Sequence, residues 1–200
     1  MFERLSAPNG PTGGKLEAPS GKEVKRIAFV QCAGSRDENH LPFCSGVCCA
    51  ASLKQATYVR DKLPEADIHM FYIDVRTPGR LEDFYQDRQE DEKINLHRGK
   101  VAKVETVGDG LQVTAENTLT GDLEQVTVDL VVLATGMQPT AAVEKLPFNA
   151  NLDENGFFIQ DDEASAHYGV GTAVRPSGVA ETLQDATGAA IKALQMARRS

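Results

Sequence analysis

Residues 30–55 read VQCAGSRDENHLPFCSGVCCAASLKQ, and this stretch holds all four cysteines of the chain: Cys32, Cys44, Cys48 and Cys49. Cys32 follows the apolar run Ala28, Phe29 and Val30, which has the make-up of a short buried strand. Cys44, Cys48 and Cys49 stand at the opening of a segment with helical patterning. A strand end, a loop and a helix entrance can bring four sulfurs to one point. Four thiolates are the ligand set of an iron–sulfur cluster or a structural zinc ion, and such soft donors exclude magnesium and calcium. Scattered cysteines are usually buried small side chains or disulfide partners, and this grouping argues against both. Adjacent Cα atoms lie about 3.8 Å apart, whereas an unstrained disulfide spans about 4.4–6.8 Å, so Cys48 and Cys49 are poor partners for each other. Schemes that pair each of them with Cys32 or Cys44 stay open, although nothing else marks a secreted scaffold. Zinc stays open as well, but structural zinc sites commonly use Cys-x-x-Cys knuckles and this chain has none. A Cys-Cys pair at a helix start gains from free N–H groups and the positive dipole end, which lower thiolate pKa and steady an anionic cluster. That tilts the reading toward a redox centre.

Working outward, residues 24–31 read as a first strand. Residues 45–63 read as a helix entered through Ser45 and ended before Pro64. IHMFYI at 68–73 is a second strand ending at Asp74, and 80–92 is a polar helix with Leu81, Phe84 and Tyr85 on one side. Such alternation argues an α/β fold with a small parallel sheet. In a nicotinamide-binding domain the first strand would run into G-x-G-x-x-G, whose glycines admit a pyrophosphate. Only Gly34 and Gly46 fall in this turn, and neither fits that pattern, so the βαβ unit reads as a degenerate nucleotide-binding domain with the cysteines in place of the dinucleotide. A self-contained nicotinamide-dependent reductase is disfavoured on the same ground. Asp74, where a ribose-binding acid would stand, reads as a solvated strand end.

From Ile94 the pattern alternates apolar and polar positions, punctuated by Gly108-Asp109-Gly110 and Thr120-Gly121-Asp122, which predicts a β-meander of three strands. Its last member, 128–134, is apolar throughout, as for a strand buried on both faces, and Thr135-Gly136 turns the chain. Residues 147–162 read as a loop with a short strand at 156–159. A glycine-rich loop through Gly169, Gly171, Thr172, Ala173, Pro176 and Gly178 then leads into a long helix with Val179, Leu183, Ala186, Ala190 and Leu194 on one stripe. A glycine loop feeding a helix N-terminus is an anion-binding arrangement, though on its own a plain core helix explains it as well. His40, His69, His97 and His167 share no metal-ligand spacing and read as ordinary surface or edge histidines. Ser45 and Ser177 read as helix-entry residues, since neither has the strained context of a nucleophile.

With 41% hydrophobic and 25% charged residues, 200 residues suffice for one or two globular domains. A net charge of −8 argues against nucleic acid or an anionic membrane as the main partner. The longest apolar run, 130–134, is far short of the roughly 20 residues that span a bilayer. The first 21 residues lack the apolar core of a secretion signal, which together with free thiols predicts a reducing cytoplasm. Residues 6–21 are dense in Gly, Pro and Ser and read as an irregular surface linker.

The runs QCAGSRDENHLPFCSGVCCAASLKQA, YIDVRTPGRLEDFYQ and DLVVLATGMQPT resemble the A-subunit of heterodisulfide reductases. Within that group the wording is closest to the A-subunit of the quinone-interacting membrane-bound oxidoreductase of sulfate reducers and sulfur oxidisers. The resemblance implies a flavoprotein of the thioredoxin-reductase-like type, whose 4Fe-4S cluster cysteines fall on Cys32, Cys44, Cys48 and Cys49. It implies FAD in the complete protein, with an N-terminal flavin-binding half preceding this stretch. The turn at Gly136 would then lie over the flavin. Gly171, Thr172, Ala173, Pro176, Val179 and Thr182 would supply the other half of the site, although Gly171-Thr172 lacks the acid that usually follows the glycine. The resulting division is an irregular 1–23, a cysteine-bearing βαβ domain over 24–103, and 104–200 as meander plus the C-terminal part of a Rossmann-like flavin domain. The implied function is electron transfer inside a larger redox complex, peripheral to the membrane at most through partner subunits. The alternative is a zinc-stapled interaction module.

Overall fold

The computed structural model describes residues 2–18, 20–160 and 167–198. The chain falls into two compact units, residues 1–33 with 48–135, and residues 34–47 with 136–200.

The first unit is organised by strand β1, Arg26–Val30, the most deeply buried strand of the chain. It pairs in parallel with β2, Asp67–Tyr72, on one side and with β7, Leu130–Leu133, on the other. Strand β3, Ile94–Arg98, extends the sheet beyond β2, giving the order β3-β2-β1-β7. Because successive side chains of a strand point to opposite faces, β1 feeds two cores. Ile27 and Phe29 join Ile68 and Met70 on the face covered by helix α2, Cys48–Lys62, through Leu53, Ala56 and Val59. Ala28 and Val30 join Phe71 on the other face, against Val113, Ala115 and Val128. Those three belong to an antiparallel sheet of β4 (Val101–Val107), β5 (Gly110–Glu116) and β6 (Leu123–Val128). Complete burial of Ile27 and Phe29 is worth about 1.5–3 kcal/mol each. The Asp129 carboxylate accepts the Lys25 and Arg26 N–H groups, both at 2.9 Å, and fixes where β1 begins.

Several sequence expectations need correction here. Ile94 opens a third parallel strand rather than the meander, and residues 130–133 leave the meander to become an edge of the parallel sheet. Nor is that strand buried on both faces: Leu130, Val131 and Val132 are half-buried and Leu133 is 55% exposed. The N-terminal segment is irregular over most of its length, yet it is not a free surface linker. Helix α1, Phe2–Ser6, opens it, and Phe2, Leu16 and Ala18 are buried in the core, with Phe2 edge-on to Phe29. Helix α3, Leu81–Gln89, rests Phe84 and Tyr85 on that core as expected, while Leu81 is exposed.

In the second unit the short strand expected at 156–159 is only a single bridge between Leu152 and Phe158. The last two residues of that expected loop, 161–162, lie outside the described residues. Phe43 packs edge-on against Phe157 at 5.2 Å and ties the 34–47 segment to the loop. Helix α4, Val179–Ala197, buries none of its residues; Val179 is 78% exposed, and Leu183, Ile191 and Leu194 are exposed as well.

Candidate functional site

None of the four cysteines forms a disulfide among the described residues. Cys32 directly follows Gln31 at the end of β1 and takes a left-handed backbone, φ +56°. Few residues other than glycine adopt that conformation, and it turns the chain out of the sheet. Cys48 and Cys49 are the first two residues of α2, which begins three residues later than Ser45. Ser45 does not cap the helix because its hydroxyl is engaged elsewhere, as described below. Cys32, Cys48 and Cys49 are buried and belong to the first unit; Cys44 is half-buried and belongs to the second. Among the described residues no three His, Cys, Asp or Glu side chains gather in a metal-holding group.

The structure does bring Cys48 and Cys49 together. A hydrogen bond from Cys48 is the main reason the Cys49 thiol is held below its usual 9.0. Burial and the Asp74 charge oppose the shift, while the Arg76 backbone N–H and guanidinium favour it. The downward shift favours the thiolate, the form that binds metal. The chemistry of the donor set thus fits a sulfur-ligated group. A second observation agrees. Gln31, 3% exposed, has both carboxamide atoms buried without a hydrogen-bond partner among the described residues, and it lines a small void together with Cys49.

In the second unit the Cys44 loop is built against the Gly136 turn. The Ser35 and Ser45 hydroxyls, both fully buried, share a 3.0 Å hydrogen bond. Met137 N–H donates to Ser45 Oγ at 2.8 Å, and Gly46 N–H donates to Cys44 Sγ at 3.4 Å. Gly136 has φ +90°, and a Cβ there would stand 2.1 Å from Ser35 Oγ and 2.4 Å from Ser45 Oγ. The requirement for glycine at 136 is thus met by the serine pair in the chain itself. Gly46 lies beside the Pro176 carbonyl, so the same loop also abuts the glycine-rich segment.

The remaining flavin candidates separate into three groups. Thr172 and Ala173 line a groove of about 350 Å³ with Met137, Thr140 and Phe158, which puts the two predicted flavin stretches side by side. Gly171, φ +54°, packs on Thr182, whose hydroxyl donates to the Gly178 carbonyl at 2.8 Å. Val179 faces away, exposed. The Gly171 N–H is bound from α4: Asp185 accepts it at 3.1 Å and pairs with Arg175 at 2.9 Å. The N-cap of α4 is Gly178 rather than Ser177, and the Glu181 carboxylate lies over it.

Gln31, the Ser35–Ser45 pair and Asp185 were not foreseen from the sequence. A polar residue ending an apolar strand was the one visible signal, for Gln31. Two histidines also prove less ordinary than expected: His69 Nδ1 and His97 Nε2 are 3.0 Å apart, and His97 Nδ1 lies 2.8 Å from Glu124, which accepts from Asn117. This half-buried chain of side chains joins β2 and β3 to β6. Asp74 is the solvated strand end expected, paired with Arg76 at 3.3 Å.

No family model matches the chain. Its sequence is 42% identical over 80% of its length to the second iron–sulfur A-subunit of the CoB–CoM heterodisulfide reductase of Methanopyrus kandleri, of which it covers 25%. It is 36% identical over 96% of its length to the A-subunit of the H(2):CoB-CoM heterodisulfide,ferredoxin reductase of Methanothermobacter thermautotrophicus, covering 31% of that protein. With a heterodisulfide reductase A-subunit-like protein of Archaeoglobus profundus the identity is 34% over 98% of the chain and 32% of the relative. Thioredoxin reductase structures share the fold: that of Lactococcus lactis gives a TM-score of 0.59 at 17% identity, over 88% of this chain and 54% of that one. That of T. acidophilum gives 0.56 at 15%, over 84% and 51%. The chain spans about a quarter to a third of the length of these heterodisulfide reductase relatives, and over most of its own length its sequence is homologous to that part of their A-subunits.

Proposed function

We propose that these 200 residues are the electron-transferring, flavin- and cluster-bearing part of a heterodisulfide-reductase-type A-subunit that works within a multi-subunit redox complex. The observation that carries this is the hydrogen-bonded tie between the Cys44–Ser45 loop and the Gly136–Met137 turn, which joins a thiol donor and a flavin-type turn in one element. The relatives' names, one of which includes iron–sulfur, support it. A zinc-stapled module would leave the flavin-type turn and groove without a role.

Cys32, Cys44, Cys48 and Cys49 would hold a 4Fe-4S cluster, and the groove beside Thr172 and Ala173 would take part of an FAD. A bound cluster would supply one-electron transfer and a flavin the coupling of one- to two-electron chemistry. The chain's own residues prepare for both. The hydrogen bond from Cys48 to Cys49 favours the thiolate that a metal would take as ligand. Ser45 holds the Met137 amide and fixes the turn. Phe158 walls the groove with apolar surface. Since the chain covers about half of a thioredoxin reductase, the flavin's remaining contacts would come from a segment beyond these residues. Immobilising a large cofactor costs at least about 4 kcal/mol in rigid-body freedom, which the contacts present here would not offset. Other subunits would be the electron partners. No helix among the described residues is long and apolar enough to cross a membrane; in this reading any membrane association would be through those partners.

The test is anaerobic reconstitution with iron and sulfide, followed by metal analysis of the parent and four single Cys→Ser variants. Each variant should lose most of its iron. Full iron in all four, or one zinc per chain and no iron, would refute the assignment. The chain should also purify without FAD and acquire it when co-expressed with the rest of the polypeptide; stoichiometric FAD on these residues alone would contradict the half-site reading.

A further inference from the structure

Gln31 sits at the end of β1, its N–H donating to the Phe71 carbonyl at 2.9 Å. The backbone is thereby fixed in the sheet ladder. The residue is only 3% exposed, and neither Oε1 nor Nε2 finds a partner among the described residues. Buried polar atoms are nearly always paired, so each exception calls for a physical reason. Leucine or methionine would fill the same space without leaving an amide unpaired. The void that Gln31 lines with Cys49, Leu53, Met70, Tyr72, Val75 and Leu96 is about 10 Å³, at the lower limit of the roughly 10–15 Å³ that one water needs. Hydration is thus a poor remedy. Besides Gln31 itself, three side-chain heteroatoms belong to the residues of the wall: the Tyr72 hydroxyl, the Met70 thioether and the Cys49 sulfur. Of these only the Cys49 sulfur gains negative charge as a metal ligand, and a sulfur of that kind is the acceptor that rewards a buried amide donor.

We infer that Gln31 is a positioning residue whose carboxamide N–H donates to the sulfur of Cys49 when that sulfur ligates a cluster, and so raises the cluster's reduction potential. The inference rests on the cluster proposed above. The direction follows from charge. One-electron reduction makes the cluster more negative, a donor aimed at its sulfur stabilises the reduced form more than the oxidised one, and no bond is made or broken. The second N–H of the amide and its oxygen stay in the void, which is the cost the fold accepts in the metal-free state.

The test uses the 200-residue chain and its Gln31→Met and Gln31→Leu variants, reconstituted with iron and sulfide and poised against dithionite while the reduced cluster is followed by electron paramagnetic resonance. At the parent's midpoint the reduced-to-oxidised ratio should fall about tenfold in both variants, as loss of one charge-assisted hydrogen bond implies. An exchangeable-deuteron coupling present in the parent should be lost with it. In the metal-free state both variants should melt no lower than the parent, because the deleted atoms were unpaired. An unchanged midpoint in variants that hold the cluster would overturn the inference and leave the cluster assignment standing. Metal-free variants that melt well below the parent would make the role structural and overturn it too. A parent that takes up no iron would remove the proposed function, and this inference with it.

Discussion

Replacing Gly136 by alanine probes the junction of the cysteine loop and the flavin-type turn. At φ +90° an alanine backbone is strained by about 1–3 kcal/mol. Its Cβ would stand 2.1 and 2.4 Å from the Ser35 and Ser45 hydroxyl oxygens, far inside contact distance. Rotating those hydroxyls away breaks the 3.0 Å Ser35–Ser45 bond and the 2.8 Å bond from Met137 N–H, each worth about 0.5–1.5 kcal/mol net. The sum is about 2–6 kcal/mol, which for a chain of this length lowers the melting temperature by roughly 4–24 °C. There is no tryptophan, so far-UV circular dichroism is the reporter, with exchange of the Met137 amide as the local one. Adding Ser35→Ala and Ser45→Ala to Gly136→Ala should remove the steric part and leave the backbone strain, a coupling that a double-mutant cycle reads directly. If Gly136→Ala alone stays within about 0.5 kcal/mol of the parent, the level of an ordinary surface change, the serine pair does not hold the turn.

Burial and the neighbouring His97 hold His69 below its usual 6.5, so the unfolded chain takes up that proton first; stability is complete above pH 6.5 and falls as pH drops through the depressed value. Hydrogen bonds from Asn117 and His97 hold Glu124 below its usual 4.5, which adds stability present above 4.5 and lost as pH falls through its folded value; urea midpoints at pH 7, 6 and 5 should decline, with a shallower decline in His69→Gln. Asp129→Ala leaves the Lys25 and Arg26 N–H groups without their acceptor and should cost about 1–2 kcal/mol, measured by thermal melting. NADH and NADPH should give no calorimetric binding signal, because the turn after β1 lacks the glycines that admit a pyrophosphate; a low-micromolar dissociation constant for either would contradict this reading.

The parts of the fold that the sequence announces are those with a local signature. The apolar run before Cys32, the stop at Pro64 and the Gly108 and Gly121 turns all mark elements found close to where they were read. What misled was reading pairing from pattern. The run LVVL at 130–133 looks like a doubly buried strand because it is apolar, yet an apolar edge strand carries the same letters, and only its register with Ile27–Val30 reveals the parallel partner. INLHR at 94–98 alternates like a meander strand although it closes a parallel sheet, since half-buried strands alternate whatever their neighbour's direction. At the site, the cysteine grouping was legible because sulfur chemistry is restricted to few residues. The Ser35–Ser45 pair and the reach of Asp185 to Gly171 were not, since each depends on residues brought together by the tertiary fold. Gln31 lay between, a polar letter at the end of an apolar strand whose significance is its missing partner.

Whether the four cysteines of one 18-residue stretch hold one four-iron cluster is tested most directly by Mössbauer spectroscopy of ⁵⁷Fe-reconstituted protein. The expected spectrum is a single species of tetrahedral sulfur-ligated iron in valence-delocalised pairs, lost when Cys48 or Cys49 is replaced by serine. Only unspecific high-spin ferric or ferrous iron, unchanged by those substitutions, would contradict it.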